Sequence, residues 1–158
     1  MSIQILTPHN NIEQLTVQYD GHSLNILMPV SELIYLLGDP IEKRDSFNYV
    51  PNHNYALITL EYPDISFIYH NFFEDPFILF IAFRGKNILL GTTSVIGSDI
   101  LSINNLFGTP ERIESNDESF YYGYEHWLVF FEYILLQFEF DSSGICIGVI
   151  IQHSSISI

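Results

Sequence analysis

A ten-residue pattern occurs twice in the chain and constrains its fold more than any other feature. Residues 31–40 read SELIYLLGDP and residues 101–110 read LSINNLFGTP, so both combine apolar residues at helical spacing with a closing Gly-x-Pro. Gly38 and Gly108 are 70 residues apart, as are Pro40 and Pro110. Glycine tolerates the positive φ that ends many helices, and proline cannot continue one. The sequence therefore predicts two short helices that each end at a glycine.

Polar residues stand where both predicted helices begin. Ser31 is the predicted N-cap of the first helix, and Ser98 or Asp99 is the predicted N-cap of the second. Their side-chain oxygens can accept hydrogen bonds from the first free backbone N–H groups of a helix.

Runs of aromatic and β-branched residues follow both predicted helices. They predict strands at 56–62, 65–69, 77–83 and 88–93, and again at 119–124, 127–131, 134–140 and 145–152. Residues 127–140 can also be interpreted as one long bent strand. A hairpin is predicted over 14–27, with its turn at Asp20-Gly21. The predicted fold is α+β with two tandem repeats, residues 1–90 and 91–158, each a short helical segment on an antiparallel sheet of about four strands.

Side chains alternate in character along the predicted strand at 134–140. Leu136, Phe138 and Phe140 fall on one face, and Gln137 and Glu139 on the other. Antiparallel sheets commonly pack one face and leave the other in water. We expect the helices to cover the apolar face, which leaves the opposite face available for binding.

The charge of the chain is strongly negative. Its 158 residues include 19 acids and five Lys or Arg residues, which gives a formal net charge of −14. Such a field repels nucleic acid and anionic lipid, and it attracts a basic protein partner. Solubility of an aromatic-rich chain is the alternative explanation for this acidity.

The sequence lacks the residue spacings of common catalytic and metal sites. Its six histidines are scattered, and Cys146 lies in an apolar run where a buried thiol is expected. We therefore predict no enzyme activity, no metal and no cofactor. The chain has neither a signal-like start nor a long uninterrupted apolar span, so a cytoplasmic protein without membrane contact is expected.

Two neighbouring segments supply the candidate partner-binding residues. Residues 111–118 form a predicted acidic loop, and residues 119–127 interleave aromatic and acidic side chains. Tyr and Trp combine large area with a polar group, which suits interface anchors. Strand alternation exposes only some of these rings, and the others are expected in the core. The candidates are Glu114, Asp117, Glu118, Tyr122, Tyr124, Trp127 and Glu139.

These segments together resemble a known arrangement. Residues 36–40 (LLGDP), residues 106–110 (LFGTP) and the 121–124 segment (YYGY) resemble the tandem α/β repeat of β-lactamase-inhibitor-like proteins. Small outer-membrane-assembly lipoproteins and many bacterial immunity proteins are similar in plan. The resemblance implies a helix–loop–helix on a four-stranded antiparallel sheet, twice, with the sheets meeting in a concave saddle.

The resemblance and the charge together favour one function. The chain lacks a lipidation cysteine and paired cysteines in each unit, which favours a cytoplasmic immunity protein over a secreted inhibitor or a lipoprotein. Such a protein would occlude a toxin, for example a basic nuclease, with an acidic aromatic surface. The alternatives are an acidic nucleic-acid mimic and a small-ligand-binding or isomerase-like α+β domain. The oligomeric state is left open.

Overall fold

The computed structural model describes residues 15–46, 56–128 and 132–156 of the chain. Within them the fold is α+β, with two eight-residue helices and two antiparallel sheets of three and eight strands. The predicted α+β class is therefore confirmed.

The described residues of the first part of the chain form one helix and seven strands. The hairpin strands are β1 (Val17–Tyr19) and β2 (His22–Leu24), and the helix α1 spans Val30–Leu37. The strands that follow are β3 (Glu42–Ser46), β4 (Leu57–Tyr62), β5 (Ile65–His70), β6 (Phe80–Phe83) and β7 (Leu89–Leu90).

The second part, as far as it is described, forms one helix and four strands. The helix α2 spans Ile100–Phe107. It is followed by β8 (Arg112–Ser115), β9 (Phe120–Trp127), β10 (Tyr133–Phe140) and β11 (Cys146–His153).

Both helices end as predicted, but only one begins as predicted. Gly38 and Gly108 have φ of 77° and 80°, and their N–H groups donate to Ile34 and Asn104 at 2.8 Å. Asp99 caps α2, because its Oδ1 accepts from the N–H of Ser102 at 2.8 Å. The prediction for Ser31 is wrong. Helix α1 starts two residues earlier, at Val30, and its N-cap, Pro29, makes no side-chain hydrogen bond.

The eight-stranded sheet has the order β3-β4-β5-β6-β11-β10-β9-β8. Each helix is followed by strands that form one half of this sheet, and the halves meet where β6 pairs with β11, with Ile81 opposite Ile151. The three-stranded sheet has the order β2-β1-β7. The predicted hairpin is thus confirmed, with its turn at Asp20-Gly21.

One hydrophobic core joins the helices and the three-stranded sheet to one face of the large sheet. Leu33 and Ile103 from the helices are fully buried in the same core as Phe67 and Phe138. Alternate residues of β10 are buried on this covered face, as the sequence pattern predicts. The core includes residues from both predicted repeats, and the division at residue 90 remains a prediction.

Several predicted strand positions are corrected. Residues 120–127 form the single strand β9, so the division into strands at 119–124 and 127–131 is wrong, as is one bent strand over 127–140. Residues 129–131 lie outside the described residues. The strand predicted at 77–83 starts only at Phe80, and the one at 88–93 is reduced to β7. Residues 112–115 of the predicted acidic loop form β8.

The helical part of each unit also differs from the implied helix–loop–helix. In the described ranges a single helix precedes each set of strands, and the hairpin β1–β2 precedes α1. Neither of these two helices is long and apolar enough to cross a membrane.

Candidate functional site

The face of the eight-stranded sheet opposite the helices is the candidate site, and we call it the open face. Strand β10 shows the contrast between the two faces. Its covered-face residues are buried, and its open-face residues are only half-buried. The open-face residues are Tyr133, Leu135, Gln137 and Glu139.

Three arginines on this side of the sheet each pair with a glutamate. The pairs are Arg44 with Glu61, Arg84 with Glu139 at 2.9 Å, and Arg112 with Glu125 at 2.7 Å. The first and third link an outer strand to its neighbour, and the second lies at the centre. These pairs neutralise the arginines internally, so the remaining carboxylates set the charge of the face.

A groove of about 270 Å³ lies at the centre of the open face. Carboxylates of Glu61, Asp64 and Glu139 line it together with the guanidinium of Arg84. Arg44 and Arg84 pair with Glu61 and Glu139, so the carboxylate of Asp64 leaves the groove with an excess of negative charge. The groove therefore suits a cationic group better than an anionic one.

Two glycines, which have no side chain, leave space on the open face. A Cβ on Gly148, which faces Glu139 in the pairing of β10 and β11, would lie 3.1 Å from Oε1 of Glu139. Gly123 on β9 leaves a second gap, because a Cβ there would lie 3.2 Å from side-chain atoms of Arg112 and Leu135. Both substitutions would crowd the open face.

An aromatic pair lies at one end of β9 on the open face. The rings of Trp127 and Tyr133 are 4.9 Å apart, and Trp127 is 50% exposed. Arg112 donates to the hydroxyl of Tyr133 at 2.9 Å. The guanidinium thereby ties the aromatic pair to the outer strand and fixes the orientation of Tyr133.

The structure places three of the seven candidate residues on the open face. Glu114 faces Tyr121 in the pairing of β8 with β9, and Tyr121 faces Glu139 on β10. The hydroxyl of Tyr121 lies 3.3 Å from Oε2 of Glu139, so these residues form one row across the sheet. Trp127 is the third, near the opposite end of β9.

Tyr122 and Tyr124 lie on the covered face, which corrects their predicted place on a binding surface. Tyr124 is fully buried against Phe107 and Phe138, and its hydroxyl donates to the carbonyl of Gly108 at 3.0 Å. Tyr122 packs on Phe140. Both have the strand parity that points toward the helices, so neither ring lies on the open face.

Asp117 and Glu118 lie in the exposed turn between β8 and β9. The side chain of Asn116 closes this turn by accepting from the N–H groups of Glu118 and Ser119. The turn and Trp127 are at opposite ends of β9, about 23 Å apart at the usual rise per residue. The candidates therefore form an acidic edge and a separate aromatic corner.

Sequence reasoning missed several residues of the open face. Asp64 lies in the turn between β4 and β5, and Arg84 directly follows β6. The pairing of these strands in the sheet brings both residues into the groove beside Glu61. Tyr121 and Tyr133 were detectable in principle. They have the opposite parity to Tyr122 and Ile134, so the alternation that buries the latter exposes the former.

A separate polar cluster follows β11. Nδ1 of His153 lies 2.7 Å from Oγ of Ser155, and its Nε2 lies 3.3 Å from Oε2 of Glu132. Hydroxyl, imidazole and carboxylate follow this order in hydrolase triads. However, the backbone N–H of Ser155 also donates to Nδ1 at 3.1 Å, so the imidazole closes a local turn. We interpret the cluster as a turn cap, and the absence of enzyme activity remains a prediction.

The remaining reactive groups have structural surroundings. Cys146 is buried, and burial raises the pKa of its thiol to about 12, so it is protonated at neutral pH. Burial also lowers the pKa of His70. Among the described residues, no three His, Cys, Asp or Glu side chains are grouped as metal ligands.

No protein family, curated protein or solved structure matches this chain. The geometry and chemistry of the open face therefore carry the functional argument.

Proposed function

We propose that the protein is a cytoplasmic immunity protein that binds and occludes a basic toxin, such as a nuclease, with its open face. One observation carries the proposal. Among the described residues no helix covers one face of the large sheet, and this face combines an acidic groove, acidic outer residues and an exposed aromatic pair. Aromatic anchors surrounded by polar groups are typical of protein interfaces.

We further propose that the two halves are tandem repeats whose joined sheets form a concave saddle. Support comes from the mirrored strand order and from the glycines that end both helices. Two tyrosines add to it, because Tyr62 on β4 and Tyr124 on β9 each donate to the carbonyl of the glycine that ends the preceding helix.

Charge has a specific part in this mechanism. The groove attracts a cationic side chain of the toxin, while the exposed acids around the β8 edge accelerate encounter. These are Glu111, Glu114, Asp117 and Glu118. Desolvated contacts at Trp127 then slow dissociation, because hot-spot aromatics act mainly on complex lifetime.

The test uses the product of the neighbouring gene as the toxin. Co-expression of this protein should restore growth of cells that produce the toxin. The association rate of the purified pair should fall roughly tenfold between low salt and 0.15 M salt, where the Debye length is about 8 Å. Combining Glu114→Lys with Asp117→Lys should slow association further. Glu32→Lys, an exposed charge reversal on α1, serves as the control and should have little effect.

Trp127→Ala tests the proposed contact that slows dissociation of the complex. An anchor there should raise the dissociation rate by a factor that corresponds to about 2 kcal/mol or more. Tyr35→Ala removes an 87% exposed ring from α1 and is the matched control. If growth is restored but the association rate changes neither with salt nor with the charge reversals at β8, acidic steering is rejected. Failure to restore growth would reject the immunity function.

A further inference from the structure

A second concave site lies at one end of the large sheet, away from the central groove. It is an open cavity of about 500 Å³ where β5 ends, β6 begins and β11 ends. Leu27, Phe73, Phe77 and Leu79 form its apolar wall. A large apolar cavity with a few polar groups is the usual form of a binding site.

Exposed phenylalanines continue this wall onto the surface. Phe72 is 59% exposed, Phe73 56% and Phe77 48%. The rings of Phe72 and Phe73 meet edge to face with centroids 5.0 Å apart. Grouped apolar side chains of this size cost solubility, and on soluble proteins they mark interaction sites.

Leu27, in the apolar wall, has a strained backbone. Its backbone has φ of 71°, a region that a side chain with a Cβ resists and that glycine accepts. A hydrogen bond from its N–H to the carbonyl of Ile78, 2.7 Å long, holds this geometry. Strained backbone of this kind concentrates at ligand-binding positions. Glycine would adopt this backbone with less strain, but leucine contributes its side chain to the cavity wall.

The polar border of the cavity consists of His70, Glu132, His153 and Ser155, and the carboxylate of Glu132 lies 3.3 Å from Nε2 of His153. This carboxylate is half-exposed, and exposed Glu74 and Asp75 follow Phe73 directly. The sequence contains no Lys or Arg between residues 45 and 83 or after residue 112. An occupant with positive charge beside its apolar group matches this border.

We propose that this cavity binds a basic amphipathic segment of a partner protein, with an apolar side chain in the cavity and a neighbouring Lys or Arg at Glu132. The site is separate from the central groove and does not rest on the function proposed for the open face. A second copy of the chain and a neutral apolar ligand are the competing occupants.

The test uses a labelled twelve-residue peptide, capped at both ends, in which Lys alternates with Phe and Leu. Fluorescence anisotropy should show saturable binding to the full chain below about 1 mM. Replacing each Lys with Glu, or each Phe and Leu with Ser, should weaken binding at least tenfold. Equal binding of the Ser peptide would reveal attraction to net charge alone and overturn the proposal, as would no saturable binding of the Lys peptide.

Variants of the wall make the test specific. Leu27→Gly should weaken peptide binding at least tenfold while leaving the melting temperature unchanged or higher, since it relieves the strained backbone. Leu101→Ala trims an exposed leucine on α2 and is the matched control. Unchanged binding by Leu27→Gly would overturn the proposal.

Further variants separate the competing occupants. Glu132→Gln should weaken the Lys peptide more than a peptide with Gln in place of Lys, and equal weakening would favour a neutral apolar ligand. Sedimentation that shows a dimer, and its loss in Leu27→Gly, would assign the cavity to a second copy and also overturn the proposal. The double charge reversal of the β8 edge should leave peptide binding unchanged, which separates this result from that for the open face.

Discussion

At the scale of single residues, two tyrosines connect the helices to the large sheet. Tyr62 donates to the carbonyl of Gly38 at 2.8 Å, and Tyr124 donates to that of Gly108 at 3.0 Å. Burial raises the pKa of both phenols, so both hydroxyls keep the proton that they donate. Each bond satisfies a carbonyl at a helix end, where an α-helix has no partner of its own.

Removing either hydroxyl should therefore destabilise the fold. We expect Tyr124→Phe and Tyr62→Phe each to lower the free energy of unfolding by about 1 kcal/mol, the usual net contribution of such a hydrogen bond. Tyr35→Phe, which alters an exposed ring, should lower it far less. Urea titrations followed by circular dichroism measure all three. Equal stability of Tyr124→Phe and the native protein would contradict an anchoring role.

The sequence predicts residue alternation but not which parity faces the core. Tyr122, Tyr124 and Trp127 were equally attractive surface candidates, because each is a large ring in a polar context. The choice depends on where the helices pack, and this depends on tertiary contacts such as that of Tyr124 with Phe107. The Arg–Glu pairs were unpredictable for the same reason, since Arg84 and Glu139 are 55 positions apart.

At the scale of elements, the sequence predicts those with strong local signals. Both helices combine apolar spacing with Gly-x-Pro, and both end where predicted. Strands β3 and β8 were missed because they are short and rich in charge, reading EKRDS and RIES. Outer strands have only one neighbour and need no apolar alternation to persist.

The two helix N-termini make a matched comparison. Asp99→Ala should lower the urea midpoint clearly, because it removes the acceptor for the N–H of Ser102. Ser31→Ala should change it little, since Ser31 lies inside the first turn of α1. A larger effect at Ser31 than at Asp99 would contradict this assignment of the caps.

The contribution of the Asp99 cap to stability should depend on pH. The hydrogen bonds with Ser102 hold the pKa of Asp99 below its ordinary value of 3.8. A lowered pKa in the folded state means that the contribution of Asp99 is complete above the unfolded pKa and is lost as pH falls through the folded pKa. The stability difference between the native protein and Asp99→Ala should therefore shrink in acid.

At the scale of the whole molecule, one core crosses the junction of β6 and β11. We expect a single cooperative unfolding transition, because neither half buries its strands alone. Phe67→Ala in one half and Phe138→Ala in the other should each destabilise the protein by about 3–5 kcal/mol. Both should lower the midpoint temperature of the same transition. Calorimetry tests this through the ratio of calorimetric to van't Hoff enthalpy. Two separate transitions would show that the halves fold independently.

The outer strands of the large sheet have a consequence for behaviour at high concentration. Strand β3 carries two acids and two bases from Glu42 to Asp45, and β8 carries Arg112 and Glu114. A second chain that added a strand there would have to desolvate these charges, and charged outer strands are known to discourage such growth. The protein should therefore resist fibre formation when it accumulates without a partner. Its broad face can then stay accessible without templating polymers of the chain itself.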